Sequence, residues 1–138
     1  MAVFPYQFYH VSPYMEICRG SNATSQVQIA WSAVSIPTAH LWIKVEPNST
    51  PGCSWEGYSQ TDNCNFLTEA VSAISITAPY SGVGIFSTAN IWNKFFGGNC
   101  DSVASIAPYL WYASYNADGH VNSSKSNIDY IPFGGWTS

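Results

Sequence analysis

The eight residues Leu41-Trp-Ile-Lys-Val-Glu-Pro-Asn48 decide how we expect this chain to fold. They form a short apolar run that carries one carboxylate, Glu46, near its carboxyl end. Pro47 then ends the run, because proline lacks the N–H that a strand donates to its neighbour. Such a run is typical of a buried parallel strand, whose carboxyl end faces the ligand crevice in α/β folds. Glu46 is therefore the first candidate for chemistry, and a solvated glutamate at a strand end is the alternative.

Strand and helix patterns alternate along the rest of the chain. Four strands are predicted, near residues 14–18, 41–46, 82–86 and 109–115. This alternation predicts βαβ units that build a parallel sheet. A length of 138 residues is typical of a single domain, here residues 1–138.

Polar caps and apolar stripes predict the helices between the strands. Ser21 or Asn22 would cap the first helix, in which Val27, Trp31 and Val34 share one face. A second helix would run from about residue 62 to 77, with an apolar stripe made of Phe66, Leu67, Ala70, Val71 and Ile74.

The starts of the second and third helices are also predicted. Asp62 or Asn63 would cap the second helix, and Thr88 would cap a short third helix that ends at Gly97. Residues 100–107 predict a fourth, also short.

Composition excludes several classes of function. Only 9% of residues are charged, and the whole chain has four Lys plus Arg with a net charge of −4, so the basic surface that nucleic acid needs is absent. No segment approaches the roughly 18 apolar residues of a membrane span. Aromatic residues make up 16% of the chain, which suits stacking against sugars as well as a core.

Four cysteines, Cys18, Cys53, Cys64 and Cys100, form an even set without a CxxC pair, which argues against a zinc site. Three disulfide pairings are possible, and the spacing does not choose among them. Cys53 and Cys64 are close enough in sequence to close a local loop worth about 3 kcal/mol in the chain-entropy model.

Three tripeptides match the acceptor pattern for N-glycosylation: Asn22-Ala-Thr24, Asn48-Ser-Thr50 and Asn122-Ser-Ser124. Pro51 directly after the second one disfavours it. With the cysteines, these tripeptides favour an oxidising, secretory compartment. The amino terminus lacks the basic and apolar regions of a signal peptide, so we expect the chain to begin at a different point from its relatives.

Several segments, in this order, resemble the lysozymes of glycoside hydrolase family 25, especially the branch found in protists and nematodes. They are Tyr14-Met-Glu-Ile-Cys-Arg-Gly20, Thr24-Ser-Gln-Val27, Leu41-Trp-Ile-Lys-Val-Glu46, Asn63-Cys-Asn-Phe-Leu67, Val83-Gly-Ile-Phe-Ser87, Leu110-Trp-Tyr-Ala-Ser-Tyr115 and Phe133-Gly-Gly-Trp136. The resemblance covers about residues 14–136.

The resemblance implies a TIM-like (β/α) barrel that cleaves bacterial peptidoglycan between N-acetylmuramic acid and N-acetylglucosamine. It implies Glu46 as the general acid, and Trp111 and Tyr115 as residues of the sugar cleft, with a place in the barrel core as the alternative for Trp111. Tyr14 is a further candidate for glycan binding. It also implies a secreted or lysosomal/phagosomal protein that acts in defence against bacteria without a metal or other cofactor.

One departure from the family pattern bears directly on the chemistry. The family motif Asp-x-Glu reads Lys44-Val45-Glu46 here, and alternation places Lys44 and Glu46 on the same face of the strand. The cation of Lys44 favours ionised Glu46, whereas a general acid must be protonated. Glu16, in phase with Tyr14 on the preceding strand, is the possible second carboxylate that glycoside hydrolysis requires.

The length of the chain is a second departure, because an eight-stranded barrel needs roughly 200 residues. We therefore expect an incomplete barrel without its first and last strands: an open, four-stranded parallel sheet with helices on one side. Its open edges could pair with another copy. Three functions remain open: a lysozyme-type hydrolase, a non-catalytic glycan-binding protein, and a truncated product without activity.

Overall fold

A computed structural model describes residues 13–33, 41–77, 83–112 and 132–137. In these ranges, strands and helices follow one another in the predicted order. They are β1 (Tyr14–Glu16), α1 (Ala23–Ser32), β2 (Leu41–Lys44), α2 (Gln60–Thr77), β3 (Val83–Ser87), α3 (Ala89–Phe95), α4 (Ser102–Ile106) and β4 (Tyr109–Tyr112). The part of the predicted last strand beyond residue 112 lies outside the described residues.

The four strands form one sheet in the order β1-β2-β3-β4, and all three neighbouring pairs are parallel. The predicted α/β class with a parallel sheet is therefore confirmed. Over the described ranges the sheet is open, with β1 and β4 at its two edges, and it does not close into a barrel.

One face of the sheet packs against the helices. Ile43 and Ile85 are register partners in the middle of this face, and both are fully buried. Helix α2 contacts strand β3 and the other three helices, so it is the central element of the helical layer. Its predicted apolar stripe is confirmed by the burial of Phe66, Leu67, Ala70, Val71 and Ile74.

Side-chain caps fix the helix starts. The Asn22 side chain accepts a hydrogen bond from the backbone N–H of Ser25, and Thr88 accepts one from the N–H of Ile91, which confirms both as caps. For α2 the prediction was wrong by two residues. The hydroxyl of Ser59 accepts the N–H of Asp62 at 3.0 Å, so the helix begins at Gln60.

Two disulfides link Cys18 to Cys53 and Cys64 to Cys100. The local Cys53–Cys64 loop considered above does not form. The sequence separations are 35 and 36 residues, for which the chain-entropy model gives about 4 kcal/mol of stabilisation each.

The segment 132–137 contributes a tight turn to the core. Phe133 and Trp136 are buried and pair across Gly134 and Gly135, whose φ angles of 58° and 93° favour glycine. Trp136 packs edge-on against the buried ring of Trp92. None of the helices in the described part of the chain is long and apolar enough to cross a membrane.

Candidate functional site

The face of the sheet opposite the core carries aromatic and charged side chains. Strand alternation brings one residue of each strand into a row on this face: Glu16, Lys44, Phe86 and Trp111. The next row contains Tyr14, Trp42, Gly84 and Tyr109. We call these two rows, with Glu46 after the end of β2, the aromatic face.

Three rings of the aromatic face pack edge to face. Trp111 lies with its ring centroid 5.0 Å from that of Phe86 and 5.8 Å from that of Trp42. Trp111 is nevertheless 50% exposed, and Tyr14 is 61% exposed. Gly84 leaves the room that the indole of Trp42 occupies, because a Cβ added there would overlap that ring. The face therefore presents large aromatic surfaces that are held in place by one another.

Three charged groups converge on the aromatic face. The Nζ of Lys44 lies 3.0 Å from Oε1 of Glu46 and 3.7 Å from Oε1 of Glu16. Lys44 and Glu46 are half-buried, with 24% and 28% of their side chains exposed, whereas Glu16 is 57% exposed. The same ammonium lies 5.0 Å from the centroid of the Tyr14 ring, at cation–π distance.

The pKa of Lys44 is raised above its ordinary value of 10.5, chiefly by the hydrogen bond to Glu46, although burial opposes the shift. The Coulomb attraction of Glu46 and Glu16 acts in the same direction as the hydrogen bond. Lys44 is therefore charged at neutral pH, and Glu46 has a cation in direct contact.

The backbone around Glu46 is fixed on the β3 side. The N–H of Val45 donates to the carbonyl of Phe86 at 2.8 Å, and the hydroxyl of Ser87 donates to the carbonyl of Val45 at 3.0 Å. Ser87 is fully buried and was not predicted as a site residue. Its position after an apolar run, at the carboxyl end of β3, was the available indication.

The connection after Glu46 is attached to the body of the protein at several points. Besides the Cys18–Cys53 disulfide, the guanidinium of Arg19 stacks 3.8 Å from the centroid of the Tyr58 ring and donates to Oδ1 of Asn63 at 2.9 Å. The buried amide of Asn63 in turn donates to the carbonyl of Trp55. Asn63 was expected only as a possible helix cap, and no role was predicted for Arg19.

A cavity of about 440 Å³ lies between this connection and helix α3. Its walls include Pro47, which directly follows Glu46, and also Glu56 and Phe95. Glu56 forms an exposed ion pair with Lys94 at 3.0 Å, the same length as the Lys44–Glu46 pair.

The structure brings most of the predicted site residues together. Tyr14, Glu16, Lys44 and Trp111 lie on the aromatic face, and Glu46 follows it. Tyr115 lies outside the described residues. Sequence reasoning missed Trp42 and Phe86, although Trp42 has the same parity as Lys44. No group of three or more His, Cys, Asp or Glu side chains within the described ranges could hold a metal ion.

Comparison with known proteins gives the family. The model of a family described as Lysozyme-like protein 1 matches residues 4–138. Counting factor 50 and counting factor 45-1 of Dictyostelium discoideum are each 36% identical to the chain, over 101 and 100 residues. Each alignment covers 71% of this chain and 28% of the relative, so the chain spans well under a third of the length of these relatives.

No solved structure gives a significant match. The family match nevertheless extends over nearly the whole sequence, and it confirms the lysozyme-like part of the resemblance without specifying glycoside hydrolase family 25. This chain belongs to the lysozyme-like family described as Lysozyme-like protein 1.

Proposed function

We propose that this lysozyme-like chain binds N-acetylated glycans of the peptidoglycan type on its aromatic face and cleaves them as a muramidase. The observation that carries the proposal is the convergence of Glu46 and Glu16 on the ammonium of Lys44, on the same face of the sheet that exposes the rings of Tyr14 and Trp111. Flat apolar rings suit the C–H faces of sugars, and carboxylates accept hydrogen bonds from hydroxyl and acetamido groups.

Glu46 is the general acid in this proposal, and Glu16 is the second carboxylate. Both contact one ammonium, so their contacting oxygens lie less than about 7 Å apart, which is compatible with the roughly 5–9.5 Å between carboxyl groups in glycosidases. Glu46 would protonate the leaving glycosidic oxygen, while Glu16 would orient the acetamido group or a water on the opposite side. For this step Lys44 must move from Glu46 to Glu16, its other partner.

Binding without hydrolysis is the second candidate, and the 3.0 Å contact between Lys44 and Glu46 favours it. A charge-assisted pair of this length occupies a carboxylate oxygen of Glu46 with the ammonium of Lys44, so that oxygen is engaged and does not face a glycosidic oxygen. The aromatic surfaces would still retain a glycan. The relatives are named as counting factors, and this name states no ligand, so it does not choose between the two candidates.

The resemblance to glycoside hydrolase family 25 supplies the architecture of the proposal. Four parallel strands in sequential order are compatible with part of a (β/α) barrel, and the edges β1 and β4 could then pair with another copy of the chain. The two disulfides support a secreted or lysosomal protein.

Clearing of a bacterial cell-wall suspension tests the proposed hydrolysis. The variants are Glu46→Gln and, as a matched control, Glu56→Gln, which alters a lysine-paired glutamate away from the aromatic face. Loss of the general acid should slow clearing by about 10²-fold or more, while the control keeps the wild-type rate. Equal clearing by wild type and Glu46→Gln would eliminate Glu46 as the acid.

Retention of the protein on sedimented walls tests the second candidate in the same samples. Binding without clearing, lost in Trp111→Ala, would assign the chain to the binding class. Lys44→Asp then shows whether the ammonium is what prevents turnover, because it removes the cation that is in contact with Glu46. A chain that neither clears nor binds walls would refute the proposed function.

A further inference from the structure

A potential modification site lies at the start of helix α1, in the tripeptide Asn22-Ala23-Thr24. Asn22 is exposed and precedes the helix in an extended conformation, with φ −62° and ψ 126°. Its Oδ1 accepts the backbone N–H of Ser25 at 2.8 Å, whereas its Nδ2 donates to none of the described residues. The oxygen of this amide therefore caps the helix, while the side chain that carries the nitrogen is exposed.

We propose that Asn22 carries an N-linked glycan. In the transfer step, Nδ2 attacks the anomeric carbon of an oligosaccharide that is carried on a lipid diphosphate. The C–N bond forms, the bond from the anomeric carbon to the diphosphate oxygen breaks, the lipid diphosphate leaves, and the nitrogen gives up one proton. The third residue of the acceptor pattern is Thr24, whose hydroxyl is the group that the pattern requires.

The folded domain accommodates this modification without losing the cap. Substitution at Nδ2 replaces one N–H and leaves Oδ1 free to accept from Ser25, so the first turn of α1 keeps its hydrogen bond. Helix α1 belongs to the helical layer through its contacts with α2. The glycan would thus extend from the start of a helix in this layer.

The second tripeptide, Asn48-Ser49-Thr50, provides an internal contrast. Asn48 is only half-exposed, and its Oδ1 accepts the backbone N–H of Thr50 in a local turn at 3.0 Å. Pro51 follows directly, which disfavours transfer. We therefore expect the two sites to differ, with Asn22 occupied and Asn48 unmodified. Disulfide formation and N-glycosylation both take place in the secretory pathway, and the two disulfides favour that compartment for this chain.

The experiment is site-specific mass spectrometry of the full chain, produced through the secretory pathway of a eukaryotic host with an added leader. Enzymatic removal of N-glycans in ¹⁸O-labelled water converts each glycosylated Asn to ¹⁸O-labelled Asp. The peptide that contains residue 22 should carry the label, and the peptide that contains residue 48 should not. An unlabelled residue 22 in the folded, secreted protein would overturn the proposal.

Three variants separate the glycan from the fold. Asn22→Asp removes the acceptor nitrogen but keeps a good helix cap, so it should fold and lose one glycan. Thr24→Ala should lose the same glycan with Asn22 intact, whereas Thr24→Ser should retain it. Persistence of the label at residue 22 in Thr24→Ala would also contradict the assignment, because it would show that labelling of Asn22 does not depend on the Thr24 hydroxyl that the acceptor pattern requires.

Discussion

The two faces of the sheet are built from the same strands and have opposite character. On the covered face, Ile43 and Ile85 are fully buried. On the aromatic face, Lys44, the residue after Ile43, is ion-paired, and Trp111 on β4 is half-exposed. Alternation along each strand thus separates residues that stabilise the fold from residues that are candidates for function. A single substitution can therefore test stability or function separately.

The covered face should be the most sensitive to truncation. Ile85→Ala removes three buried carbons at the centre of the sheet, and we expect a loss of about 2–5 kcal/mol in the free energy of unfolding. Urea denaturation measures it. Ile29→Ala is the matched control, because Ile29 is 70% exposed on α1 and should change stability by less than about 0.5 kcal/mol. Equal effects of the two substitutions would contradict the described packing.

Gly84 lies on the boundary between packing and function, because it makes room for Trp42. Gly84→Ala should displace that indole and cost about 1–3 kcal/mol, since an added Cβ overlaps a rigid ring. Wall retention should fall with it. Gly98→Ala is the control: an added Cβ there meets nothing within 4 Å, so neither the melting temperature nor retention should change. A neutral Gly84→Ala would show that Trp42 does not occupy this position.

Trp111 tests the aromatic face for binding. Trp111→Ala should weaken retention on peptidoglycan at least about tenfold, the equivalent of roughly 1.4 kcal/mol. The ring is half-exposed, so its truncation should cost less stability than Ile85→Ala does. Binding isotherms and urea denaturation on the same preparations provide the two readouts. Unchanged binding together with a large loss of stability would show that Trp111 is a core residue and not a binding residue.

The two lysine–glutamate pairs of equal length should differ in strength. Both measure 3.0 Å, but the Lys44–Glu46 side chains are 24% and 28% exposed, against 58% and 67% for Lys94–Glu56. A double-mutant cycle with Lys→Met and Glu→Gln at each pair should give a coupling of about 1 kcal/mol on the aromatic face and less than about 0.5 kcal/mol at the exposed pair. The reverse order would show that burial does not set their strength.

The pH dependence of the Lys44 pair should be the smallest effect. The folded-state pKa of Lys44 is raised above 10.5. The contribution of the pair to stability is therefore complete below that value and is lost as the pH rises through the raised pKa. The difference in stability between wild type and Lys44→Met should therefore be constant from neutral pH to about pH 10 and shrink above it. Urea denaturation across this range measures that difference. A difference that grows above pH 10 would contradict the upward shift of the Lys44 pKa.

Local chemistry was sufficient to predict the elements and most caps. Asn22 and Thr88 each precede an apolar stripe, and each accepts a hydrogen bond from the backbone N–H three residues later. The start of α2 was placed too late because Asp62 and Asn63 are good caps in isolation. Ser59 and Asp62 stand three residues apart as in a capping box, and that spacing would have identified the earlier start.

Contacts between strands could not be predicted from the sequence, because they depend on register. Parity places Glu16 and Lys44 on faces of their own strands, but only the alignment of β1 with β2 makes them direct neighbours. The same limit applies to the disulfides, since four cysteines allow three pairings and the ends of β1 and β2 had to be adjacent for Cys18 to reach Cys53. The role of Tyr115 stays a prediction.

The order of the two disulfides along the chain has a consequence for biosynthesis. The partners are sequential, Cys18 with Cys53 and Cys64 with Cys100, so neither ring interleaves with the other. During vectorial synthesis, both partners of the first pair emerge before either partner of the second. Each ring also encloses a crossover that ends in a central strand, β2 or β3. The native pairing thus joins cysteines that are consecutive along the chain, and the first ring needs no cysteine made after Cys53.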